Sequence, residues 1–376
     1  MATKTASSQD SDASALDVIV VGAGVIGLAC AWRCAERGLR VKVIERERPG
    51  AGASNVAAGM LAPVGEATWG EERLLELALA SHHLWPEFAA DLQRASDADV
   101  GYLRLGALHV ALDRDESAEL NRRFELMQAH GLEARWMTGR ECRGLEPGLR
   151  GAGGGGVHAE HEAAVDPRTL IAALVTAFER AGGSIDTAEV NEAVIEDDRL
   201  QGVSTADGRE HRAAAVVLAA GSWSGADWLP PDARPQVRPV KGQILTLAGP
   251  PGAPVCERIV VTERVYIVPR ADGRLVVGAT VEEQGFDVRV TAGGVHELLR
   301  EAYRALPEIA ELELVEAIAG LRPTTPDNLP LIGPGAIAGL TLATGHFRNG
   351  ILLAPLTAQR IAESLAAECA GLEVAA

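Results

Sequence analysis

At 376 residues the chain is longer than one ordinary core requires, and it suits a large domain with a smaller one interleaved in its sequence. Hydrophobic residues at 47%, 41 glycines and aromatics at only 4% are a mixture common among α/β enzymes with many tight turns, and they exclude general disorder. A formal charge of −17 without a long basic run excludes a mainly electrostatic nucleic-acid partner, and no apolar run approaches the roughly 20 residues that a membrane-spanning helix needs.

Residues 1–15 hold no apolar stretch, so they read as a disordered tail rather than a secretory signal, and the expected location is the cytoplasm. LDVIVV, from Leu16, is a short continuous apolar run of the kind buried on both faces of a parallel sheet. It leads into GAGVIG, an apolar helical stretch to about Arg37, a stop at Gly38 and a second strand ending at Glu45, which completes a βαβ unit. Helices are expected over 71–95, kinked or divided at Pro86, and over 114–130, with a strand from Leu103 between them. The glycine-rich stretch 151–156 follows no strand and reads as a crossing loop rather than a phosphate cradle. Asp166-Pro167 opens a helix to Ala181, since Asp caps free amides and Pro suits the first turn. Strand-like runs about the turns Asp197-Asp198 and Asp207-Gly208 lead to AAAVVLAAGSWSG, a buried strand returning to the first sheet. Residues 236–282 predict an antiparallel sheet, 291–305 a helix, TLATG a strand and 349–367 a closing helix. The five cysteines form no Cys-x-x-Cys or Cys/His cluster, so they read as buried thiols and no metal site is expected.

Gly22, Gly24 and Gly27 make a GxGxxG pattern that follows a strand and opens a helix. There the glycines give a tight turn, close approach of backbone to a diphosphate and close helix packing, while the amides about Val25 and Ile26 and the positive helix end attract the anion. Glu45, with Arg46 beside it, ends the second strand 23 residues after Gly22, where a carboxylate accepts from ribose hydroxyls and repels a 2′-phosphate. NAD and FAD share this fingerprint.

GASNVAAGMLAP, from Gly52, supplies Ala53, Ser54, Ala58, Gly59 and Met60, mostly small residues past which a backbone can run against a flat ring. The segment resembles the second flavin-contact segment of the D-amino-acid oxidase family, most closely its glycine oxidase branch, which selects FAD. GLRPTTPDNLPLIG from Gly320 and LATGHFRNGILLAP from Leu342 resemble that family's closing motifs, and with GAGVIG, AAGML and VKGQ they span the chain from Leu16 to about Leu365.

The resemblance implies an α/β plus α+β fold: a Rossmann-like FAD-binding domain over 16–90, 151–225 and 320–376, and a substrate-binding domain on an antiparallel sheet over 91–150 and 226–319. It implies that Arg322 clamps the substrate carboxylate, with Tyr266 and Arg348 beside it. The alternatives are that Arg322 forms an internal ion pair, with Asp327 as the candidate partner, and that Tyr266 simply packs. His346, Phe347, Arg348, Asn349, Gly350, Ile351 and Leu352 would cover the flavin, and Val190 would touch the adenine end. No cysteine lies near GLRPTTPD, so the FAD is expected to be non-covalent. The implied reaction is oxidative deamination of glycine, or of small amines such as sarcosine or D-alanine, by hydride transfer from Cα to flavin N5. Oxygen would then give hydrogen peroxide, in the context of thiamine thiazole synthesis and a homotetramer. The alternatives are a D-amino-acid, sarcosine or proline oxidase or dehydrogenase and, from another class, an NAD-binding dehydrogenase.

Overall fold

The computed structural model describes residues 16–250, 252 and 254–375, so the tail expected over residues 1–15 lies outside the described residues. Leu16–Val21 is the centre of the first sheet, with Val18, Ile19 and Val20 fully buried, because parallel strands flank it on both sides. Val41–Glu45 and Glu210–Leu218 are those neighbours, and Ser184–Thr187 and Leu340–Thr344 extend the parallel set. Along one edge, Glu210–Leu218 takes two partners: Gly202↔Arg212 is antiparallel at its start, and Val216↔Leu340 is parallel at its end.

Four helices, Val25–Glu36, Glu72–Ser96, Pro167–Arg180 and Gly350–Ala375, share one core with the sheet, burying Trp32, Trp85 and Phe178. Asp166 caps the third of these by accepting from the Arg168 amide, with Pro167 in the first turn. The second helix is not divided at Pro86. An interior proline costs about 3 kcal/mol, but the packing around it is dense: Phe88 meets Trp32 and Trp85 edge-on at 5.5 and 5.4 Å. The opposite face of the sheet is closed by Leu200, Val203, Trp228 and Leu229.

The second sheet orders its strands as Glu313–Thr324, Arg238–Ala248, Arg274–Gly278, Tyr266–Pro269, Ile259–Val261, Ala107–Val110, Gly156–Ala159 and Arg135–Met137. It is antiparallel except where Ile259–Val261 runs parallel to Ala107–Val110. Gly156–Ala159 was not expected as a strand. The glycines there serve close packing, since a Cβ on Gly156 would sit 2.7 Å from His109 O and 2.8 Å from Cys142 Sγ. That strand belongs to the second sheet, although residues 151–225 were expected with the first, and Glu313–Thr324 runs across the boundary expected at 320. A three-stranded sheet of Met60–Leu61, Ala163–Ala164 and Leu103–Arg104 completes the fold.

Candidate active site

The carboxyl ends of Leu16–Val21 and Val41–Glu45 meet the Arg238–Ala248 and Glu313–Thr324 strands around a cavity of about 590 Å³. Of the residues expected at cofactor or substrate, all but Gly27 line it. Gly27 lies beneath the turn, where a Cβ would overlap Gly22 O, so its absence of side chain sets the helix against the strand. Gly22 has φ +105°, and a Cβ on it would come within 2.5 Å of Ala219 O, so the position admits only glycine on both counts.

The chemistry of one end of the cavity suits a dinucleotide. The helix Val25–Glu36 has no side-chain cap from Gly24; instead the Val25 amide donates to Ser54 Oγ at 3.0 Å, marking where its first-turn amides meet the cavity. A Cβ on Gly24 would meet only Ser54 Oγ, at 3.4 Å, leaving a shallow cradle for a diphosphate. Glu45 is aimed by two amides, Ala23 donating to Oε2 at 2.7 Å and Glu47 to Oε1 at 3.0 Å, and keeps lone pairs for ribose hydroxyls. Val190 and Arg46 line this end, with the Arg46 guanidinium 4.6 Å from the Trp223 ring centre. His346 is buried with Nε2 2.9 Å from Thr357 Oγ1, and burial pushes its imidazole down to about 3, so the ring is neutral at ordinary pH.

At the other end the two arginines differ. Arg348 is saturated: Nε lies 2.5 Å from Glu66 Oε2 and Nη2 2.6 Å from Glu71 Oε2. Arg322 has no carboxylate within ion-pair range among the described residues, and Asp327 accepts instead from the Leu329 amide at 3.1 Å. Arg322 Nη1 donates to the carbonyls of Thr280 at 3.1 Å and Lys241 at 3.3 Å. Its guanidinium occupies the space a side chain on Gly242 would need. Tyr266 stands over Gly278 in the same way; burial raises its hydroxyl pKa, and the adjacent Arg322 opposes that shift. The internal ion pair considered for Arg322 is therefore not formed.

Sequence reasoning missed the supports of this end. Gly242 lay in the VKGQ motif but gave no sign that it is the floor under Arg322, and Gly278 gave none that it receives Tyr266. Glu66 and Glu71 hold Arg348, but Glu71 was read only as the start of the helix over 71–95, and Glu66 was given no role. Arg270, in VYIVPR, is buried and ties the flavin-type segment to the helix opening by donating to Ala58 O at 2.6 Å and Val165 O at 3.0 Å. Cys30, Cys34, Cys142 and Cys256 are buried, and no cysteine is among the described residues that line the cavity.

The family model described as FAD dependent oxidoreductase (DAO) matches residues 17–364. The chain belongs to this family. As a member of it, the protein is an FAD-dependent oxidoreductase. It is 36% identical to the glycine oxidase of Geobacillus kaustophilus over 92% of each chain, and the crystal structure of that enzyme superposes with a TM-score of 0.87 over 93% of this chain and 94% of that one. It is also 36% identical to the bifunctional protein ThiO/ThiG of Trichormus variabilis, over 92% of this chain but 52% of that longer protein. The iminodiacetate oxidase of Chelativorans sp. BNC1 is 30% identical, with a TM-score of 0.82 over 92% of this chain and 94% of that one. Among the described residues no helix is long and apolar enough to cross a membrane.

Proposed function

We propose that this FAD-dependent oxidoreductase oxidises glycine, and with it sarcosine or D-alanine, to the oxo acid and hydrogen peroxide, with release of ammonia from glycine and D-alanine and of methylamine from sarcosine. The observation that carries the reading is the guanidinium of Arg322, half-buried in the cavity and without a carboxylate of its own. With Nη1 spent on two carbonyls, Nη2 and Nε remain for a substrate carboxylate, whose two oxygens suit the planar fork, and the Tyr266 hydroxyl adds a donor beside it. Fixing the carboxylate at one end of so small a molecule fixes Cα as well.

When bound, FAD supplies the two-electron chemistry, accepting a hydride equivalent from Cα and passing the electrons to oxygen. The chain's own task is to hold the amine neutral. Glu66 is engaged by Arg348 and His346 is buried on Thr357, so neither is an uncommitted base, and the ammonium proton leaves to water as the substrate enters. The absence of cysteine among the described lining residues supports dissociable FAD. In this reading the parallel sheet carries the cofactor and the antiparallel sheet the substrate. The likeness to glycine oxidase and ThiO/ThiG supports glycine and a place in thiamine thiazole synthesis.

A second reading, oxidation of an N-substituted glycine that carries another anionic group, is favoured by Arg264. It lines the cavity two residues before Tyr266 and makes no ion pair among the described residues, and the likeness to iminodiacetate oxidase agrees. Anaerobic mixing of the yellow protein with glycine, sarcosine, D-alanine and iminodiacetate, followed by air, ranks the substrates. Bleaching by glycine with peroxide on reoxidation is expected; bleaching by iminodiacetate alone would select the second reading, and bleaching by none would remove the amino-acid class.

A further inference from the structure

The Arg238–Ala248 strand has two chemically different faces behind Arg322. Gly242 and Ile244 look into the cavity, whereas Lys241 and Gln243 are 0% and 1% exposed and are turned away from it. On this hidden side Glu282 gathers a polar network. Its Oε1 accepts from Gln243 Nε2 and Thr280 Oγ1, both at 2.6 Å, and its Oε2 lies 3.4 Å from Lys241 Nζ. The Gln243 amide donates to Thr280 Oγ1 at 2.8 Å, and Lys241 and Glu282 exchange backbone bonds of 2.9 and 3.0 Å. Among the described residues Lys241 Nζ makes no hydrogen bond, and Glu282 is its charge partner. Burial would raise the Glu282 carboxyl, but the bonds from Thr280 and Gln243 and the Lys241 charge outweigh it and hold the group below its ordinary range.

This network clips the segment 241–243 to the segment 280–282. Among the described residues the backbone carbonyls that accept from the Arg322 fork are those of Lys241 and Thr280, one from each side of the clip, and the Tyr266 hydroxyl is its side-chain neighbour. An ion pair whose lysine is buried and whose carboxylate is 20% exposed is a poor source of stability, since apolar residues of similar volume often serve as well; what it fixes is spacing and orientation. A bidentate bond to a carboxylate depends on that orientation, because a small swing of the guanidinium loses one of its two parallel hydrogen bonds.

We propose that Lys241 and Glu282 are positioning residues for the substrate carboxylate: the pairing of buried Lys241 with partly exposed Glu282 sets the separation of the Lys241 and Thr280 carbonyls and thereby aims the Arg322 fork into the cavity. The proposal deepens the reading of Arg322 as the carboxylate clamp and rests on it.

The test uses the FAD-loaded protein and three variants, Glu282→Gln, the double variant Lys241→Met with Glu282→Met, and Arg322→Lys. For each, KM and kcat with glycine are measured, together with the Kd of acetate from its perturbation of the flavin spectrum, the Kd of FAD and Tm. Glu282→Gln is expected to raise KM and the acetate Kd together by about tenfold while kcat and FAD affinity stay within about twofold. If it fails to fold, the double variant, which removes the buried Lys241 charge together with its partner, answers the same question: positioning predicts raised KM and acetate Kd even where Tm recovers. A fall in Tm with KM and acetate Kd at wild-type values would make the pair merely structural and overturn the proposal. Unchanged KM and acetate Kd in Arg322→Lys would instead remove the clamp, and the proposal with it.

Discussion

The two ends of the cavity are built by different means. At the dinucleotide end, Gly22, Gly24, Gly27 and Glu45 lie within one βαβ unit, and their geometry follows from a strand running into a helix. At the carboxylate end, Arg322 is set by Lys241 and Thr280, 81 and 42 residues away, by Gly242 on the strand of Lys241 and by Tyr266 on another strand. A local motif carries its own instructions; an assembled site depends on a whole sheet being in register.

The largest effect that tests this contrast is at Gly27. Its substitution by Ala puts a Cβ into Gly22 O, a backbone atom that cannot give way, so the helix must move from the strand and take its first-turn amides off the diphosphate. Overpacking of this kind is expected to cost about 2–4 kcal/mol. Gly27→Ala should purify colourless with a lowered Tm; a yellow protein of normal FAD affinity would mean that the local motif is more tolerant than its geometry implies. Arg270 comes next, because it is where the two ends touch: a residue of the second sheet holds Ala58 O and Val165 O beside the cofactor end. Arg270→Met leaves two buried carbonyls without donors, at about 1–3 kcal/mol each if no water reaches them, and should weaken FAD binding as well as stability. A drop in Tm with FAD affinity intact would separate the ends more completely than the contacts suggest.

What was legible in the sequence follows the same division. The first strand, its helix, Glu45, the Asp166 cap and the closing helix were all readable, since each rests on contacts along the chain or on a single apolar face. The first part of Glu313–Thr324 was read as nothing in particular: its acidic, half-exposed residues acquire strand character only by pairing with Arg238–Ala248, some 70 residues earlier. Gly156–Ala159 was hidden because its glycine answers to His109 and Cys142, which no local pattern reveals. Arg322 itself was recognisable by its motif, but its freedom from Asp327 and the saturation of Arg348 by Glu66 and Glu71 are properties of the assembled sheet and loops.

Gly242→Ala sharpens the comparison from the carboxylate side. The backbone there is ordinary strand, so the new methyl group strains nothing locally; it pushes against the Arg322 guanidinium, which must tilt. KM for glycine should rise by about tenfold, the equivalent of ~1.4 kcal/mol, while FAD affinity and Tm barely change. Steady-state kinetics beside an FAD titration decide it: loss of the cofactor in this variant would mean that the two ends are one cooperative unit and that the division drawn above is wrong.

A pH-dependent effect concerns His346, in the segment expected to cover the flavin, and it asks whether that segment is as tightly closed as either end. Burial holds the imidazole at about 3 in the folded protein, against about 6.5 in an unfolded chain. A folded pKa below the unfolded one means that the unfolded chain binds the extra proton first. The neutral buried ring therefore contributes its full stability above about pH 6.5, and that contribution is lost as pH falls from there towards 3, at no more than about 1.4 kcal/mol per pH unit for one proton. Replacing His346 by Gln keeps a polar partner for Thr357 without a titrating group, so denaturant midpoints for wild type and His346→Gln should diverge between pH 6.5 and 4, the wild type losing stability faster. Parallel profiles would show that water or a proton reaches the ring in the folded protein, and that the closing segment opens more readily than the two ends it joins.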